Sequence, residues 1–322
     1  MNKFSLLTLL LNTPSISGYE KLLGISSVVA KRLGKISRAQ INPDGSVIVR
    51  LKKNPKLPTV LISAHIDEVG FFISKKITNN QYKILPLGDI LVKNVVNTQV
   101  NLGKIKTKVK NPQSFNQIYL ETKRKKINLL DPVFWTRKIT LNRFLVSSPG
   151  LDNKVGVTAL ILLADKLSMN KARKYNIVFA GISQEEIGNN NYQALVDQTK
   201  PDLIIDLDSA YATAKPTNLA TNIPLLGQGA AIQIIGRGIN YEKSWLFNTL
   251  NLLEKSRIKF QLEIPSPNEG ETLLSRINNY PNRFLQINIP VANQHESKSF
   301  ANLKDIDSCV NIVECLLCQN LV

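Results

Sequence analysis

The chain of 322 residues holds two histidines, and one of them, His65, stands beside Asp67 and Glu68 in "SAHIDEVG" (63–70), just after the apolar run "TVLI" (59–62). The other, His295, follows the apolar stretch "FLQINIPVANQ" (284–294). Acidic residues occupy comparable places: Asp152 after "SSPGL", Glu185 and Glu186 after "NIVFAGISQ", and Asp208 at the end of "LIIDLD". Singly, each has an ordinary explanation. An Asp after a strand caps a turn, a Glu pair suits a helix start where the dipole favours acids, and a lone His satisfies hydrogen bonds. Jointly they pose a different problem, because several carboxylates converging on one crevice repel unless cations neutralise them. A His, Asp and Glu set without thiolates suits Zn²⁺, Co²⁺ or Mn²⁺.

Such convergence needs a sheet. "TVLISAHID" reads as a buried strand, and the turn Pro43-Asp44-Gly45 joins two apolar alternations before it. After "SSPGLDNK" the chain alternates: a helix ("VGVTALILLADKLS"), a strand ("YNIVFAGIS"), a helix, and a strand ("PDLIIDLDSA"). A helix through "SWLFNTLNLLEKS", a strand ("FLQINIP") and a closing helix (about 303–320) follow. This alternation predicts an α/β fold, a sheet with helices on both faces. In open α/β sheets ligands gather beyond the carboxyl ends of the strands, where these histidines and acids lie. Between about 70 and 148 the pattern changes to short β-branched pieces such as "FFISKKI" and "QVNLGKIKTKV", separated by Asn, Gly and Pro. The expected organisation is a catalytic α/β unit of residues 1–69 and 149–322, interrupted by an inserted, barrel-like β unit at 70–148.

The N-terminal "MNKFSLLTLLLNTPSISG" has the outline of a secretory signal. Leu6, Leu7, Leu10 and Leu11 nevertheless repeat at helical spacing, and Ser17 with Glu20 matches an S-x-x-E capping box opening a second helix at about 20–34. Two helices of the mature fold, and a cytoplasmic location, are the expectation. No apolar run approaches the roughly 20 residues of a membrane span. Cys309, Cys315 and Cys318 lie in "CVNIVECLLCQNLV", where C-x-x-C has no second pair or nearby His to complete a zinc knuckle. They read as small core residues in a reducing compartment. The formal charge of +17 is concentrated partly in "KIKTKVK" (104–110) and "KRKK" (123–126). No aromatic-interleaved basic motif accompanies it, so a solvated basic surface is expected rather than a nucleic-acid partner.

Seven blocks in order resemble metallopeptidase family forty-two, the tetrahedral-type aminopeptidases that include glutamyl aminopeptidases: "PSISGYE" (14–20), "SAHIDEVGF" (63–71), "GLDNKVGV" (150–157), "QEEIG" (184–188), "PDLIIDLD" (201–208), "GQGAAI" (227–232) and "HESKSFANLKDID" (295–307). The resemblance implies a metallopeptidase-type α/β/α sheet domain with two divalent metal ions per chain. Asp152 would bridge the ions, His65 and Asp208 would complete one site, and Glu186 with His295 the other. Glu185 would be the general base and Asp67 would orient His65. The implied activity is release of N-terminal residues from short peptides. The implied assembly is a homo-oligomer built from dimers, a dodecamer among its forms. Peptide hydrolysis agrees with that site, because paired cations lower the pKa of a shared water and polarise the scissile carbonyl. A neighbouring carboxylate can carry the proton to the leaving amine.

Some segments depart from the family pattern. "SPNEGETLLSRI" (266–277) stands where a Gly-rich "GTDA"-like stretch is usual, "GNNNYQ" (188–193) lacks the common Arg-Gly, and "VANQHES" replaces the usual Arg-Tyr before the histidine. These changes leave every expected ligand in place and bear on the pocket wall. Two rivals remain on sequence alone. A related two-metal deacylase or carboxypeptidase shares the His-x-Asp and Glu-Glu pattern but usually has Gly-Arg-Gly before the bridging Asp. A catalytically idle relative acting as a basic binding or scaffold protein would have no reason to keep both histidines and Glu185.

Overall fold

The computed structural model describes residues 2–51, 54–110, 118–123, 126–168, 174–188, 191–216, 222–236, 241–265, 277 and 283–319. Most of the 266–277 segment, and residues 189–190 of "GNNNYQ", lie outside the described residues. Three helices open the chain: α1 (Lys3–Leu11), α2 (Glu20–Leu23) and α3 (Ile25–Leu33). The expected helix at 20–34 is thus two, because Gly24 takes φ +95° between them, a left-handed conformation open to glycine. The expected capping box is also absent. Tyr19, not Ser17, precedes α2 and caps it with no side-chain bond, while the Ser17 hydroxyl donates to Asp67 Oδ2 at 2.6 Å.

The hairpin β1 (Ala39–Ile41) and β2 (Val47–Arg50) follows, then β3 (Thr59–His65). Six strands, β4 (Gly70–Lys76), β5 (Gln81–Leu87), β6 (Gln99–Leu102), β7 (Ile105–Lys110), β8 (Tyr119–Glu121) and β9 (Pro132–Trp135), close into a barrel in the order β4-β5-β8-β7-β6-β9. Its interior is apolar, with the Phe71 and Trp135 rings meeting edge to face at 5.5 Å. Lys106, Lys108 and Lys110 point outward from β7 into solvent. Next, β10 (Thr140–Asn142) and β11 (Leu145–Ser148) pair within the large sheet and lead into α4 (Leu151–Ser168).

The remaining elements are β12 (Asn176–Ile182), α5 (Asn191–Thr199), β13 (Leu203–Tyr211), β14 (Ala230–Gln233) and α6 (Lys243–Lys255). The chain ends through β15 (Phe260–Glu263), β16 (Phe284–Ala292), β17 (Ser299–Asn302) and α7 (Leu303–Leu317). Among the described residues the large sheet runs β1-β2-β12-β3-β13-β16-β17-β11-β10, with β14 and β15 joined beside β16. β12, β3, β13 and β16 are mutually parallel neighbours and almost wholly buried. Parallel strands covered on both faces have that continuous apolar character. α4 packs across β3 and β13 and is flanked by α1, α3 and α7, and α5 lies against β12. The result is the α/β/α arrangement expected from the alternation. Of the three cysteines only Cys309 is core; Cys315 is half-buried and Cys318 exposed, against the expectation that all three pack inside.

Candidate metal centre

The parallel strands put their carboxyl ends on one edge, and a split in the sheet opens there. β3 and β13 pair only as far as Ser63 with Asp206. Two residues further on, His65 and Asp208 face each other across the gap, with His65 Nε2 at 3.1 Å from Asp208 Oδ1. Asp208 lies inside β13 rather than ending it, because pairing with β16 carries the strand on to Tyr211. Asp152 enters from the start of α4, where the backbone at Asp152 and Asn153 is not yet helical and the peptide between them is cis. Its Oδ1 lies 3.2 Å from His65 Nε2, and its Oδ2 lies 3.3 Å from His295 Nε2. Glu186, in the short 3₁₀ turn Glu185–Ile187 after β12, brings Oε2 to 3.2 Å from His295 Nε2.

Five side chains distant in sequence therefore meet as two triads, His65–Asp152–Asp208 and Asp152–Glu186–His295, sharing Asp152. Within each triad the ligand-capable atoms all lie within 4.8 Å of one another. Three non-glycine positions in the loops that carry these residues take left-handed backbone, Gln184 (φ 62°), Asn293 (φ 56°) and His295 (φ 56°). For residues other than glycine this costs about 1–3 kcal/mol and persists where the surroundings over-determine it, commonly at functional sites.

The imidazoles are aimed by their far nitrogens. His65 Nδ1 lies 3.5 Å from Asp67 Oδ1, and His295 Nδ1 donates to the Asp89 carbonyl at 2.8 Å, a backbone group of the barrel. The His295 bond fixes its ring so that Nε2 faces the site; the 3.5 Å contact of His65 Nδ1 with Asp67 is electrostatic, since that nitrogen makes no hydrogen bond among the described residues. Asp67 is fully buried and accepts from Ser17 Oγ and from the backbone N–H groups of Glu185 and Glu186. Glu185 itself is 8% exposed on the same turn.

Charge at the cluster is out of balance without cations. Burial opposes protonation of His65, yet Asp208, Asp152 and Asp67 outweigh it and hold the imidazole well above its usual pKa. His295 is likewise pushed up to about 12, burial opposing and Glu186 with Asp152 prevailing. Burial would raise Asp152, but the two imidazoles outweigh it and hold this carboxyl far below its usual range. Burial raises Glu186. Both shifts have one cause: the carboxylates demand positive charge at the two imidazoles. Asp152 Oδ1 and Glu186 Oε1 are buried without a hydrogen-bond partner. Carboxylate oxygens left unpaired beside imidazole nitrogens, with no thiolate among the donors, fit borderline divalent cations.

The model of the M42 glutamyl aminopeptidase family matches residues 45–312. The chain belongs to this family. Among M42 relatives, lysyl aminopeptidase of Pyrococcus furiosus is 22% identical over 346 aligned positions, covering 98% of this chain and 97% of the relative. Among solved structures, the aminopeptidase APDkam598 of Desulfurococcus kamchatkensis superposes with a TM-score of 0.88 at 20% identity, covering 98% of this chain and 94% of that one. The Pyrococcus horikoshii TET1 peptidase, described as assembling into a tetrahedron or a large octahedral shell, gives 0.84 at 21% identity, with 98% and 99% covered. The M42 fold is common to all of them.

Some contributors around this cluster carry no sequence signal of their own. The Asp89 carbonyl is one. A second set forms a buried ionic cluster beside Asp67, in which Glu68 Oε1 accepts from Arg137 Nη2 and from the Ser15 N–H (2.8 Å). Lys154, fully buried at the start of α4, donates from Nζ to Ser15 Oγ and to the Ile66 carbonyl (2.7 Å). A strand-end Glu and a helix-start Lys read as solvated in sequence, and only the fold brings Arg137 to them.

Proposed function

We propose that this M42 protein is a metal-dependent aminopeptidase that releases N-terminal residues from short peptides. The observation that carries the reading is Asp152, whose two carboxylate oxygens each face a different imidazole, in a chain whose family is one of aminopeptidases. His65, Asp152 and Asp208 would hold one divalent ion, and Asp152, Glu186 and His295 the other, with zinc or cobalt suiting these donors best and manganese also suiting them. Bound there, the ions would supply Lewis-acid polarisation of the scissile carbonyl and a lowered pKa for the attacking water. Glu185 takes the proton of the attacking water and delivers it to the departing amine. Asp67 holds His65 in the tautomer that leaves Nε2 free.

Assembly into a dimer-based homo-oligomer is part of the proposal, supported by the shells described for the Pyrococcus horikoshii relative. A reducing, cytoplasmic setting is supported by three free cysteines; no helix among the described residues is long and apolar enough to cross a membrane. For the substrate's first residue, the +17 charge favours encounter with acidic peptides, whereas the Pyrococcus furiosus relative bears a lysyl name. Release rates from Glu-, Lys- and Leu-terminated amides separate the two; a preference for Lys ends the acidic-peptide reading.

The central test joins metal analysis to an aminopeptidase assay on the wild type and on Glu185→Gln. Both proteins bind two ions per chain, and the variant turns over about 10²–10⁴-fold more slowly than the wild type. Full activity in Glu185→Gln removes the residue from its role.

A further inference from the structure

The turn carrying Glu185 and Glu186 is held by side chains from other parts of the chain. Four consecutive backbone N–H groups each donate to a side-chain oxygen: Ser183 to Ser46 Oγ (3.1 Å), Gln184 to Glu20 Oε1 (2.9 Å), Glu185 to Asp67 Oδ1 (3.1 Å) and Glu186 to Asp67 Oδ2 (3.1 Å). Behind these acceptors lies the N-terminal segment at 15–20. Ser17 Oγ donates to Asp67 Oδ2 at 2.6 Å, and Glu20 Oε1 also accepts the Gly18 N–H at 3.1 Å. The segment is tied to the strand end that carries Asp67, with Ser17 N–H on the Glu68 carbonyl (3.2 Å) and Glu68 N–H on the Ser15 carbonyl (3.0 Å). Ser17, Glu20, Ser46 and Asp67 are all buried, at 3% exposure or less.

We infer that Ser17 and Glu20 are positioning residues: through the Asp67 carboxylate and the Gln184 amide, they set the turn that presents Glu185 and Glu186 to the cluster. The inference rests on the aminopeptidase reading for what the turn does, and on geometry alone for what holds it. Buried backbone donors must be paired. If Glu20 loses its acceptor, the Gln184 N–H is stranded at a residue whose left-handed φ of 62° depends on its surroundings. If Ser17 loses its hydroxyl, Asp67 loses a donor that fixes its plane. That carboxylate faces both His65 and the Glu185–Glu186 turn, so a rotation there disturbs both triads together. The spacing S-x-x-E, which would cap a helix, serves here to grip two different loops.

The test compares Ser17→Ala, Ser17→Thr, Glu20→Ala and Glu20→Gln with the wild type. Thr restores the donor, and Gln keeps a neutral oxygen able to accept both N–H groups. Hydrogen exchange on the metal-free proteins reads the turn directly, without reference to activity. Residues 183–188 exchange at least about tenfold faster in both alanine variants while α4 and β3 stay protected, and Thr and Gln restore wild-type protection. Titration with Co²⁺ reads the site: the alanine variants bind about 10–100-fold more weakly with an altered visible spectrum, and the conservative variants match the wild type. On a peptide amide, kcat falls in the alanine variants more than KM rises. Unchanged exchange at 183–188 in both alanine variants overturns the inference, as does altered exchange with unaltered Co²⁺ binding and kcat. A wild type that binds no metal sinks the aminopeptidase reading instead, and the exchange result still decides whether Ser17 and Glu20 hold the turn.

Discussion

Replacing Arg137 by Met tests how the barrel is coupled to the metal-site loops. Arg137 follows β9 and reaches back to the sheet, with Nη2 on Glu68 Oε1 and Nη1 on the Pro149 carbonyl at 2.8 Å. Both side chains are nearly dry, 9% exposed for Arg137 and 2% for Glu68. A Cβ at Gly150 would come within 2.0 Å of Glu68 Oε2 and 2.7 Å of Arg137 Nη1, so the pair is packed directly on the backbone two residues before Asp152. Met fills the volume and deletes the charge. Removing one partner of a buried pair costs about 3–5 kcal/mol, because the other charge is left uncompensated. Lys154 softens that cost. Burial pushes its pKa down to about 8, with Glu68 raising it and Arg137 lowering it, so loss of Arg137 strengthens the Lys154 charge facing Glu68. The expected loss therefore falls at the lower end, about 3 kcal/mol, read as a lower midpoint in urea unfolding. Adding Glu68→Gln to Arg137→Met removes the stranded carboxylate and recovers at least about 1 kcal/mol. A loss below about 1 kcal/mol for Arg137→Met, the level of an exposed pair, refutes the buried clamp. So does a double variant whose loss equals the sum of the two single ones.

Zinc binding releases protons. The imidazoles, held above their usual pKa by the carboxylates around them, must give up protons to ligate; calorimetry in buffers of different ionisation enthalpy counts the release, and no more than the roughly half a proton that two ordinary histidines would give at pH 7 contradicts the charge balance described. Asp152→Asn weakens both ions together, whereas Asp208→Asn weakens the His65-side ion first; equal loss of one ion in the two variants denies Asp152 its shared place. Burial pushes Glu263 up to about 7, with Asp208 adding to the rise. A folded-state pKa raised above the ordinary value gives stabilisation that is complete below that value and is lost as the pH rises through about 7. Glu263→Gln keeps an acceptor for Asn288 Nδ2 and no longer titrates. Its Tm therefore gains on the wild type from about pH 5 to about pH 8, and a difference independent of pH sinks the assignment.

How much of the site was legible depends on how local its causes are. His65, Asp208, Glu186 and His295 each end or follow an apolar run in the sequence, and parallel strands deliver such residues to one edge, so the gathering could be anticipated from order and pattern. The length of β13 could not, because its extension past Asp208 comes from the β16 partner. The Ser17–Glu20 spacing misled for a related reason. A capping box is a local motif, whereas the partners of these side chains lie 50 and 164 residues away. Gly24, one residue in the middle of a helical pattern, broke a helix that the periodicity carried through. The two-sheet architecture was readable from the change to β-branched pieces after residue 70. Arg137 was not, since nothing about an arginine at the end of a small barrel points to a carboxylate at the end of β3.

Crystals grown with zinc and measured at the zinc absorption edge test the central claim most directly. The account predicts two anomalous peaks on either side of the Asp152 carboxylate, one against His65 and Asp208, the other against Glu186 and His295. A single peak there, or zinc bound only elsewhere on the molecule, contradicts it.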